Sequence, residues 1–501
     1  MSSGSMTRRL GRRAGSGAFE RWGDGEVATG PGSASRLGSG RLEHAATSTM
    51  APSASNARTR GREDPSTARL PLPPLLDGAR DLQEPTIRNQ PLHRVGRAGD
   101  PNGCTSVGSM RARLARRLQD VPPTIFTTMS SLALRTGSVN LGQGFPDRDG
   151  PPALLEAAVT ALRSGRNQYA PGPGVPELRQ AVARHQAKRY GIDLDPDRQV
   201  LVTAGATEAI AAAVLALVDP GDEVVVTEPY YDSYVATIAM AGGVRRPVPL
   251  RRTGGGFRLD VEALRTAVTD RTAVLLVNTP HNPTGAVLDE EERAAVAEVA
   301  VRHDVVVVVD EVYEHLLFDG REHVPLATLP GMADRTVSIS SAGKTFSVTG
   351  WKVGWVTGSA ELVDVVMAAK QWLTFTNAAP LQPAVAQALD HEMAYVEVLA
   401  EQLQERRDLL CAGLRDLGLD PVVPEGTYFT LSDVGHLGWD DSVAFCEALP
   451  GRAGVVAIPA QVFYDDPRSS GGRHLVRWAF CKERSTIEEA LERLSRADLT
   501  A

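Results

Sequence analysis

Two lysines, Lys344 and Lys352, stand eight residues apart in the Ser- and Gly-rich segment SSAGKTFSVTGWKVGW. The 501-residue chain has 53 basic residues, but only five of them are lysines. Arginine stays protonated and cannot condense with an aldehyde, whereas a buried lysine can lose its proton and form an imine. Lys344 is therefore a candidate Schiff-base lysine. The other three, Lys188, Lys370 and Lys482, are interpreted as exposed lysines without a special role.

A carboxylate is predicted at the mouth of a buried strand. Asp310 follows five consecutive valines in DVVVVVDE, and Tyr313 lies three residues further along. A buried charge is costly unless a cation pairs with it. We therefore expect a cationic partner for Asp310, and a protonated pyridine nitrogen would be one.

Polar residues also follow the other predicted strands. LVTAGATEA places Thr207 at a strand-to-helix turn, where free N–H groups can hold a phosphate. An ordinary capped turn is the alternative. EPYYDSY supplies Tyr230 and Tyr231, one of which could stack on a flat ring, with core packing as the alternative. NTPHNPTG supplies Asn278 and Asn282 in a turn with two prolines.

The elements that carry these residues form a repeating pattern. From about residue 150, short β-branched runs alternate with helix-like segments, which predicts βαβ units and a parallel sheet covered on both faces. The runs are QVLVTAG (199–205), DEVVVTEP (222–229), TAVLLVNTP (272–280), DVVVVVDE (304–311) and RTVSISS (335–341). Because ligands of open α/β sheets bind beyond the carboxyl ends of the strands, these five ends should converge on one site.

The two ends of the chain differ from this pattern. A periodic segment (381–417), strands TYFTLSD and HLVRWAFC and a last helix predict a second, α+β domain. Residues 1–109 are dense in Gly, Ser, Pro and Arg and lack lysine, so they are predicted to be a disordered extension. Met110 opens the segment MRARLARRLQDVPPTIFTTMSSLA and could itself begin the compact protein. A mis-assigned translation start is therefore one interpretation of the extension.

Composition narrows the function classes. The chain is 42% apolar with a net charge of −8, which is typical of a soluble globular protein without a basic face for nucleic acid. No run approaches the roughly 18 apolar residues of a membrane span. The four cysteines are far apart in sequence, so they support neither a disulfide framework nor a metal site, and we expect a cytoplasmic protein. We expect no metal, no nucleic acid and no membrane among its partners.

The order NTPHNPTG, DEVYE and SAGKTFSVTGWKVGW resembles class I aminotransferases of the aspartate-aminotransferase fold, which use pyridoxal 5′-phosphate. LGQGFPD, NQY and VAIPAQVFY resemble the kynurenine and glutamine transaminase branch. The resemblance covers about residues 112–498. It implies an α/β, fold type I transferase: a large cofactor-binding domain (160–380) with a mostly parallel sheet sandwiched by helices, and a smaller α+β domain (112–159 and 381–498).

The resemblance also implies roles for catalytic residues. Lys344 would join the aldehyde of the cofactor and later move the α-proton of the substrate. Asp310 would keep the pyridine nitrogen protonated. Tyr313 and Asn282 would hydrogen-bond the 3-oxygen of the cofactor.

Binding residues follow from the same resemblance. Ser341, Lys352 and the backbone at Ala206 and Thr207 would hold the cofactor phosphate, and Tyr231 would stack against its ring. The residues expected on the substrate side and across a subunit boundary are Arg477, Gly142, Asn278 and Tyr169. Of these, Arg477 would clamp the α-carboxylate, with a salt-bridged structural arginine as the alternative.

The predicted reaction exchanges an amino group between an amino acid and a 2-oxo acid in a homodimer, where Tyr169 reaches the phosphate of the neighbouring subunit's cofactor. NQYAPGPG, VTAGATEAIAAAVLALV and PHNPTGAVL resemble actinobacterial enzymes that act on N-succinyl-LL-diaminopimelate with 2-oxoglutarate. Relatives of the kynurenine branch carry an aromatic residue at the position of Thr207, and some carry a histidine at that of Thr376. The two threonines make the predicted pocket less aromatic than theirs, which disfavours kynurenine as the substrate. The alternatives are a broad kynurenine, glutamine or methionine transaminase, a cysteine-conjugate β-lyase, and a ligand-sensing transcription regulator.

Overall fold

Residues 114–119, 121–468 and 471–501 are described by the computed structural model, and the predicted extension at residues 1–109 lies outside them. The strands are β1 (Val139–Asn140), β2 (Val200–Thr203), β3 (Glu223–Glu228), β4 (Val244–Thr253), β5 (Gly256–Leu259), β6 (Thr272–Asn278), β7 (Val306–Asp310), β8 (Thr336–Ser341), β9 (Gly354–Thr357), β10 (Pro421–Val422), β11 (Phe429–Asp433), β12 (Val455–Val456), β13 (Ile458–Pro459) and β14 (Leu475–Ala479).

The α-helices of the described residues alternate with most of these strands, as the βαβ pattern predicts. They are α1 (Ile125–Thr136), α2 (Pro152–Arg163), α3 (Pro176–Tyr190), α4 (Gly205–Leu217), α5 (Asp232–Ala241), α6 (Val261–Ala267), α7 (Glu290–Arg302), α8 (Ala342–Thr345), α9 (Ala360–Leu373), α10 (Gln382–His391), α11 (Met393–Asp416), α12 (Ser442–Ala453) and α13 (Arg484–Ser495).

The large sheet has eight strands in the order β2-β9-β8-β7-β6-β3-β4-β5. Parallel pairing joins β8, β7, β6, β3 and β4 in turn. β9 runs antiparallel to both of its neighbours, and β5 runs antiparallel to β4. The register places Asn278 of β6 beside Asp310 of β7, so both residues lie at the same edge of the sheet. The predicted mostly parallel sheet is confirmed.

Helices cover both faces of this sheet because alternate residues of its buried strands point to opposite sides. Val307 and Val309 of β7 pack in the apolar core that contains Val296 of α7. Val308, between them, packs in the core that contains Ile210 of α4. The run of valines is therefore what a strand covered on both faces requires, and the predicted α/β sandwich is confirmed.

The smaller sheet has four antiparallel strands in the order β10-β11-β14-β13. Its two middle strands are the predicted TYFTLSD and HLVRWAFC segments, and they pair Leu431 with Arg477. Trp478 of β14 packs in the same core as Ile487 of α13. Arg477, which alternates with these apolar residues, is thereby fixed on the opposite face of its strand.

The predicted domain boundaries at residues 160 and 380 stay predictions. Leu154 of α2, Leu178 of α3 and Val385 of α10 pack in one apolar core, so helices from both sides of those boundaries lie together. Within the described part of the chain, no helix combines the length and apolarity needed to cross a membrane.

Candidate active site

The carboxyl ends of five strands open into one cavity of about 320 Å³. Residues at or just after the ends of β2, β3, β6, β7 and β8 all line it: Thr207, Tyr231, Asn278, Asp310 and Ser341. The predicted convergence of these five strand ends is therefore confirmed. Because they meet across parallel strands, residues up to 134 positions apart in sequence share one small space.

Lys344 projects into this cavity from the short helix α8, which begins directly after β8. Its Nζ donates to the hydroxyl oxygen of Tyr428 at 2.6 Å and lies 3.4 Å from the carbonyl oxygen of Gly144. Burial lowers the pKa of Lys344 to about 8, although Cys481 and Asp310 oppose the shift. The amine therefore loses its proton much more easily than a surface lysine does.

Asp310 presents a buried carboxylate at the end of β7. The Tyr234 hydroxyl donates to its Oδ2 at 2.6 Å, and the backbone N–H of Val312 donates to its Oδ1 at 3.3 Å. Burial raises the pKa of this carboxyl, opposed by Tyr234 and Lys344. Among the described residues no arginine, lysine or histidine lies within ion-pair distance of it, so the carboxylate lacks a charged partner.

Arg477 is the complementary case, a buried guanidinium in the middle of β14 that is only 1% exposed. It donates to Asn282 Oδ1 at 3.0 Å and to the Gly142 carbonyl oxygen at 2.8 Å. Its Nε has no hydrogen-bond partner within the described part of the chain. No carboxylate there lies within 4 Å of it, so the alternative of a salt-bridged structural arginine is wrong.

Aromatic rings surround this guanidinium. Its Cζ lies 4.0 Å from the ring centroid of Phe429, 5.0 Å from that of Phe126 and 5.4 Å from that of Phe463. Burial lowers the pKa of Arg477 to about 10, which still leaves it charged at neutral pH. A buried cation with free hydrogen-bonding capacity attracts a carboxylate ligand.

A second cationic corner lies at the N-terminus of α4. Ala206 and Thr207 line the cavity there, and Lys352 donates to Thr207 Oγ1 at 3.3 Å. Gly205 adopts a φ of +72°, and a Cβ at this position would lie 3.1 Å from Lys352 Nζ. Glycine therefore lets the lysine approach the free N–H groups of the helix, and Ser341 lines the cavity beside them.

The two neighbouring tyrosines of EPYYDSY go to different places. Tyr231 lines the cavity, with its ring centroid 6.1 Å from that of Phe126. Tyr230 instead donates its hydroxyl to Asp465 Oδ1 at 2.9 Å. Tyr313 also lines the cavity and is buried. The structure therefore selects Tyr231 as the residue available to a flat ring.

Two predicted site residues lie outside the cavity lining. Gly142 contributes its carbonyl oxygen to Arg477. Tyr169 is 82% exposed, and its ring lies 5.4 Å from that of Phe375. Asn278 lines the cavity, but its Nδ2 donates to the Asp310 carbonyl oxygen at 2.8 Å, and its Oδ1 accepts from the Asn282 backbone N–H. Gly142 and Asn278 thus hold other site residues in place.

The interpretation of two further lysines as exposed is wrong. Lys370 is 1% exposed and donates to the carbonyl oxygens of Gly172 and Phe375 at 2.9 and 2.7 Å. Lys482 is 4% exposed and donates to the carbonyl oxygen of Phe145 at 2.8 Å. Both ammonium groups hold loops by their backbone, because neutral carbonyls can satisfy a buried cation.

Several residues of the site were not predicted from the sequence. Gln143, Gly144 and Phe429 line the cavity, while Tyr234 and Tyr428 hold Asp310 and Lys344. They lie within the motifs LGQGFPD, EPYYDSY and TYFTLSD, but Tyr234 and Tyr428 have their partners 76 and 84 residues away. An aromatic next to a strand end was the only available signal.

The residues present fit pyridoxal 5′-phosphate. Asp310 is an unpaired buried carboxylate suited to a protonated pyridine nitrogen, and Lys344 is an easily deprotonated amine suited to an aldehyde. The N-terminus of α4 with Lys352 and Ser341 suits a phosphate. Arg477 remains for the carboxylate of a substrate. The ring nitrogen, the aldehyde and the phosphate of the cofactor and the carboxylate of an amino acid thus each have a complementary group.

These features define a transaminase of the aspartate-aminotransferase fold, and comparison with known proteins agrees. A family model described as aminotransferase class I and II matches residues 136–494. The chain belongs to this family of pyridoxal-5′-phosphate-dependent enzymes, which act on amino acids and 2-oxo acids. The predicted family, fold, cofactor and enzyme class are confirmed.

Particular relatives place the chain within the family. It is 54% identical over 385 residues to a probable N-succinyldiaminopimelate aminotransferase of Mycobacterium tuberculosis, covering 76% of this chain and 97% of the relative. The crystal structure of the N-succinyldiaminopimelate aminotransferase from that organism matches with a TM-score of 0.75 and 55% identity, over 76% and 99% of the two chains.

Two more distant relatives extend the comparison. A methionine aminotransferase of Escherichia coli is 40% identical, over 75% of this chain and 97% of the relative. The structure of an aspartate aminotransferase from Thermus thermophilus with maleate matches with a TM-score of 0.71 and 36% identity, over 76% of this chain and 99% of the other.

Proposed function

We propose that the cavity residues perform transamination in the roles that the sequence predicts for them. The observation that carries this proposal is the state of three charged groups around one cavity, the buried Asp310 and Arg477 and the partly buried Lys344. Within the described residues none of them has an ion-pair partner of opposite charge. Folding alone does not favour unpaired buried charges, so ligands are expected to supply the partners.

Each of the three groups has one task. Pyridoxal 5′-phosphate, when bound, supplies an aldehyde and an electron-withdrawing ring. Arg477 binds the α-carboxylate of the amino acid and orients it. Lys344, whose pKa burial lowers to about 8, takes the proton from the α-carbon and returns it on the other side of the exchange. Asp310 keeps the ring nitrogen protonated, and Tyr234 keeps Asp310 in place.

The remaining residues hold the cofactor and the substrate. The backbone at Ala206 and Thr207, with Ser341 and Lys352, binds the phosphate because these groups surround the N-terminus of α4. Tyr231 stacks against the ring. The residues that complete the ring and substrate contacts are Asn282 and Tyr313 at the 3-oxygen, and Gly142 and Asn278 beside the substrate.

The proposed substrate pair is N-succinyl-LL-diaminopimelate and 2-oxoglutarate, which places the enzyme in lysine biosynthesis. The 54% identity to the mycobacterial relative over 97% of its length supports this choice. Mixing the purified holoenzyme with each candidate amino acid and recording its absorbance spectrum tests it. We expect the cofactor absorbance to change fastest with the succinylated compound. A change with methionine or kynurenine but not with this compound would refute the choice.

A broad methionine or kynurenine transaminase is the second candidate, and the 40% identity to the methionine aminotransferase favours it next. A β-lyase acting on cysteine conjugates uses the same fold, so the fold does not separate the two. Product analysis does, because transamination yields an oxo acid and glutamate, whereas elimination yields pyruvate and a thiol. A transcription regulator would bind DNA specifically and would not turn over an amino acid.

We propose a homodimer with shared active sites. Tyr169, Trp372 and Phe375 are exposed aromatic residues, and Tyr169 contacts Phe375. Exposed apolar surface of this kind marks an interface. Lys344→Ala and Tyr169→Ala chains, each of low activity alone, should recover activity after subunit exchange, because one site of each hybrid dimer is intact. A monomer in sedimentation, or no recovery, would refute shared sites.

We also propose that the enzyme works in the reducing cytoplasm. Among the described residues the cysteines Cys411, Cys446 and Cys481 are all buried free thiols. Disulfides form and persist mainly in oxidising compartments, so free thiols fit a reducing one. Fluorescence microscopy of a tagged protein tests this, and a signal confined to the cell envelope or medium would contradict it.

A further inference from the structure

Tyr428 places its hydroxyl group against the amine of Lys344. The two atoms are 2.6 Å apart, and the same hydroxyl lies 2.6 Å from the carbonyl oxygen of Gly144. Lys344 Nζ is 3.4 Å from that carbonyl oxygen. The three polar atoms thus form a triangle at the wall of the cavity, and the sequence predicted neither Tyr428 nor Gly144 as site residues.

A phenol hydroxyl can serve an amine in both of its protonation states. When Lys344 is an ammonium, the hydroxyl donates to Gly144 and accepts from the ammonium. When the amine is neutral, the hydroxyl can donate to its lone pair while the amine donates to the carbonyl. Burial raises the pKa of Tyr428 well above its ordinary value, so the hydroxyl keeps its proton. The bond to the charged form is the stronger of the two.

The position of Tyr428 is set by tight packing. Its ring lies 5.2 Å from that of Tyr313 and 4.8 Å from that of Phe429, and its carbonyl oxygen accepts from the Phe480 N–H at 2.9 Å. A Cβ on Gly144 would overlap the Phe429 ring and lie 3.1 Å from the Tyr428 ring. Glycine is therefore required for the carbonyl to sit beside the hydroxyl, and the hydroxyl has little freedom to move.

Other titratable groups face the same amine from the neighbouring elements. Cys481 and Asp310 raise the pKa of Lys344, whereas burial, Arg477 and Lys352 lower it. The Tyr313 ring also faces the amine, with its centroid 5.5 Å from Nζ. Within the described residues Tyr428 is the one side chain that hydrogen-bonds Lys344 Nζ directly.

We propose that Tyr428 is a positioning residue that holds the amine of Lys344 in one place while the lysine is free of the cofactor. Gly144 supplies the second anchor. This rests on the proposed function, in which Lys344 moves the α-proton of the substrate. Because proton transfer depends steeply on donor and acceptor geometry, a held amine reacts faster than one that rotates freely.

The test compares Tyr428→Phe with Tyr395→Phe. The control removes a buried hydroxyl that has no hydrogen-bond partner within the described residues. With an α-deuterated amino acid and the holoenzyme, we expect kcat of Tyr428→Phe to fall by about 10- to 100-fold with KM within about twofold. Its primary deuterium isotope effect should rise, because proton transfer becomes slower. Tyr395→Phe should match wild type in kcat, in KM and in the isotope effect.

A second readout does not depend on activity. With five lysines in the chain, [ε-¹³C]lysine NMR gives few signals, and Lys344→Ala assigns the one from Lys344. In holoenzyme carrying the aminated cofactor, the pKa of Lys344 should be about 0.5–1 unit lower in Tyr428→Phe than in wild type. The acid limb of the kcat profile should move by the same amount, which a merely structural loss would not cause.

An unchanged isotope effect and an unchanged Lys344 pKa in Tyr428→Phe would overturn the proposal. If that variant does not fold, Tyr428→Met serves as a second variant without the hydroxyl, with the same expectations. Different results would refute the proposed function and the role of Tyr428. Full turnover by Lys344→Ala would refute the proposed function, whereas an inactive Lys344→Ala beside a wild-type-like Tyr428→Phe would refute only the role of Tyr428.

Discussion

Two groups of largely buried polar side chains lie next to each other and include neighbouring residues of the same segments. Asp310 and Lys344 face the active-site cavity. Their chain neighbours Glu311 and Thr345 belong to a second group, here called the imidazole cluster: His185, Glu311, Glu314, His315 and His323, with Thr345 hydrogen-bonded to it. The two groups share backbone segments, and they differ in how their charges are satisfied.

In the imidazole cluster almost every polar atom has a partner. His185 Nε2 lies 2.9 Å from His315 Nε2, and His315 Nδ1 lies 3.1 Å from Thr345 Oγ1. Glu314 accepts from the hydroxyls of Tyr190 and Ser340. Nδ1 of His185 is a fully buried cluster atom without a hydrogen bond among the described residues.

Charge behaves differently in the two groups as well. Burial lowers the pKa of His315 to about 3, so this imidazole is neutral at pH 7. His323 Nε2 lies 3.1 Å from Glu311 Oε1, so this carboxylate has a hydrogen-bonding partner inside the cluster. In the cavity, by contrast, Lys344, Asp310 and Arg477 have no ion-pair partner within the described residues. Polar groups that have partners within the protein stabilise its fold, whereas charged groups without ion-pair partners indicate a ligand-binding site.

Lys344→Ala should show the largest difference between the cavity and the imidazole cluster. This change removes the amine that joins the cofactor and moves the proton, so kcat/KM should fall by at least about 10³-fold. The free energy of unfolding of the cofactor-free protein should not fall, because the amine has no ion-pair partner to lose. Steady-state kinetics and urea unfolding measure both, with exposed Lys188→Ala as the control. Retained activity in the Lys344 variant would contradict the catalytic role of this amine.

Arg477→Met tests the cation for the substrate carboxylate. The loss of a bidentate, charge-assisted contact should lower kcat/KM by about 10²-fold, mainly through a higher KM for the amino acid. Methionine fills the space between the three phenylalanines and needs no counter-charge. Initial rates over a range of amino-acid concentrations measure the effect, with exposed Arg163→Met as the matched control. An unchanged KM would show that another group binds the carboxylate.

The pH dependence of stability should report the unpaired amine. Lys344 has a pKa of about 8 in the folded protein against an ordinary value of 10.5. Between these values the unfolded chain binds the extra proton, so the stability of the cofactor-free protein rises with pH. We expect a rise of roughly 2 kcal/mol, reduced by solvent at the cavity mouth, that Lys344→Met lacks.

Urea unfolding of both proteins at several pH values from 7.5 to about 10.5 measures this difference. A difference between wild type and Lys344→Met that stays constant over the range would contradict the shifted pKa.

Glu314→Gln tests the imidazole cluster and should have the smallest effect on catalysis. It weakens hydrogen bonds within a satisfied network, so the free energy of unfolding should fall by about 1–3 kcal/mol. At 25 °C kcat/KM of the folded variant should stay within about threefold of wild type, since no cluster residue lines the cavity. Exposed Glu322→Gln is the control. A large loss of kcat with unchanged stability would place the cluster in the catalytic machinery.

Residues with a strong local signal were predictable from sequence. Lys344 stands in a Ser- and Gly-rich segment of a chain that otherwise prefers arginine, and Asp310 follows a run of valines typical of a strand covered on both faces. Because the carboxyl ends of such strands meet at one edge, their convergence on one cavity followed from the general rule for open sheets.

Residues whose role depends on distant partners were not predictable in the same way. Tyr234 and Asp310 are 76 positions apart, and Tyr428 and Lys344 are 84 positions apart. No local pattern encodes such pairs. Lys482 was misjudged for the same reason, because its carbonyl partner at Phe145 is 337 positions away. Lys370 has a partner 198 positions away at Gly172 besides the nearby Phe375.

The central claim is that the Lys344 amine is the group that binds pyridoxal 5′-phosphate covalently. Borohydride reduction of the purified holoenzyme, followed by proteolysis and mass spectrometry, tests it most directly, because the chain offers only five lysines. We expect the added cofactor mass on the peptide that contains Lys344 and on no other. Cofactor mass on Lys352, Lys370 or another lysine, or no labelled peptide from an active enzyme, would contradict it.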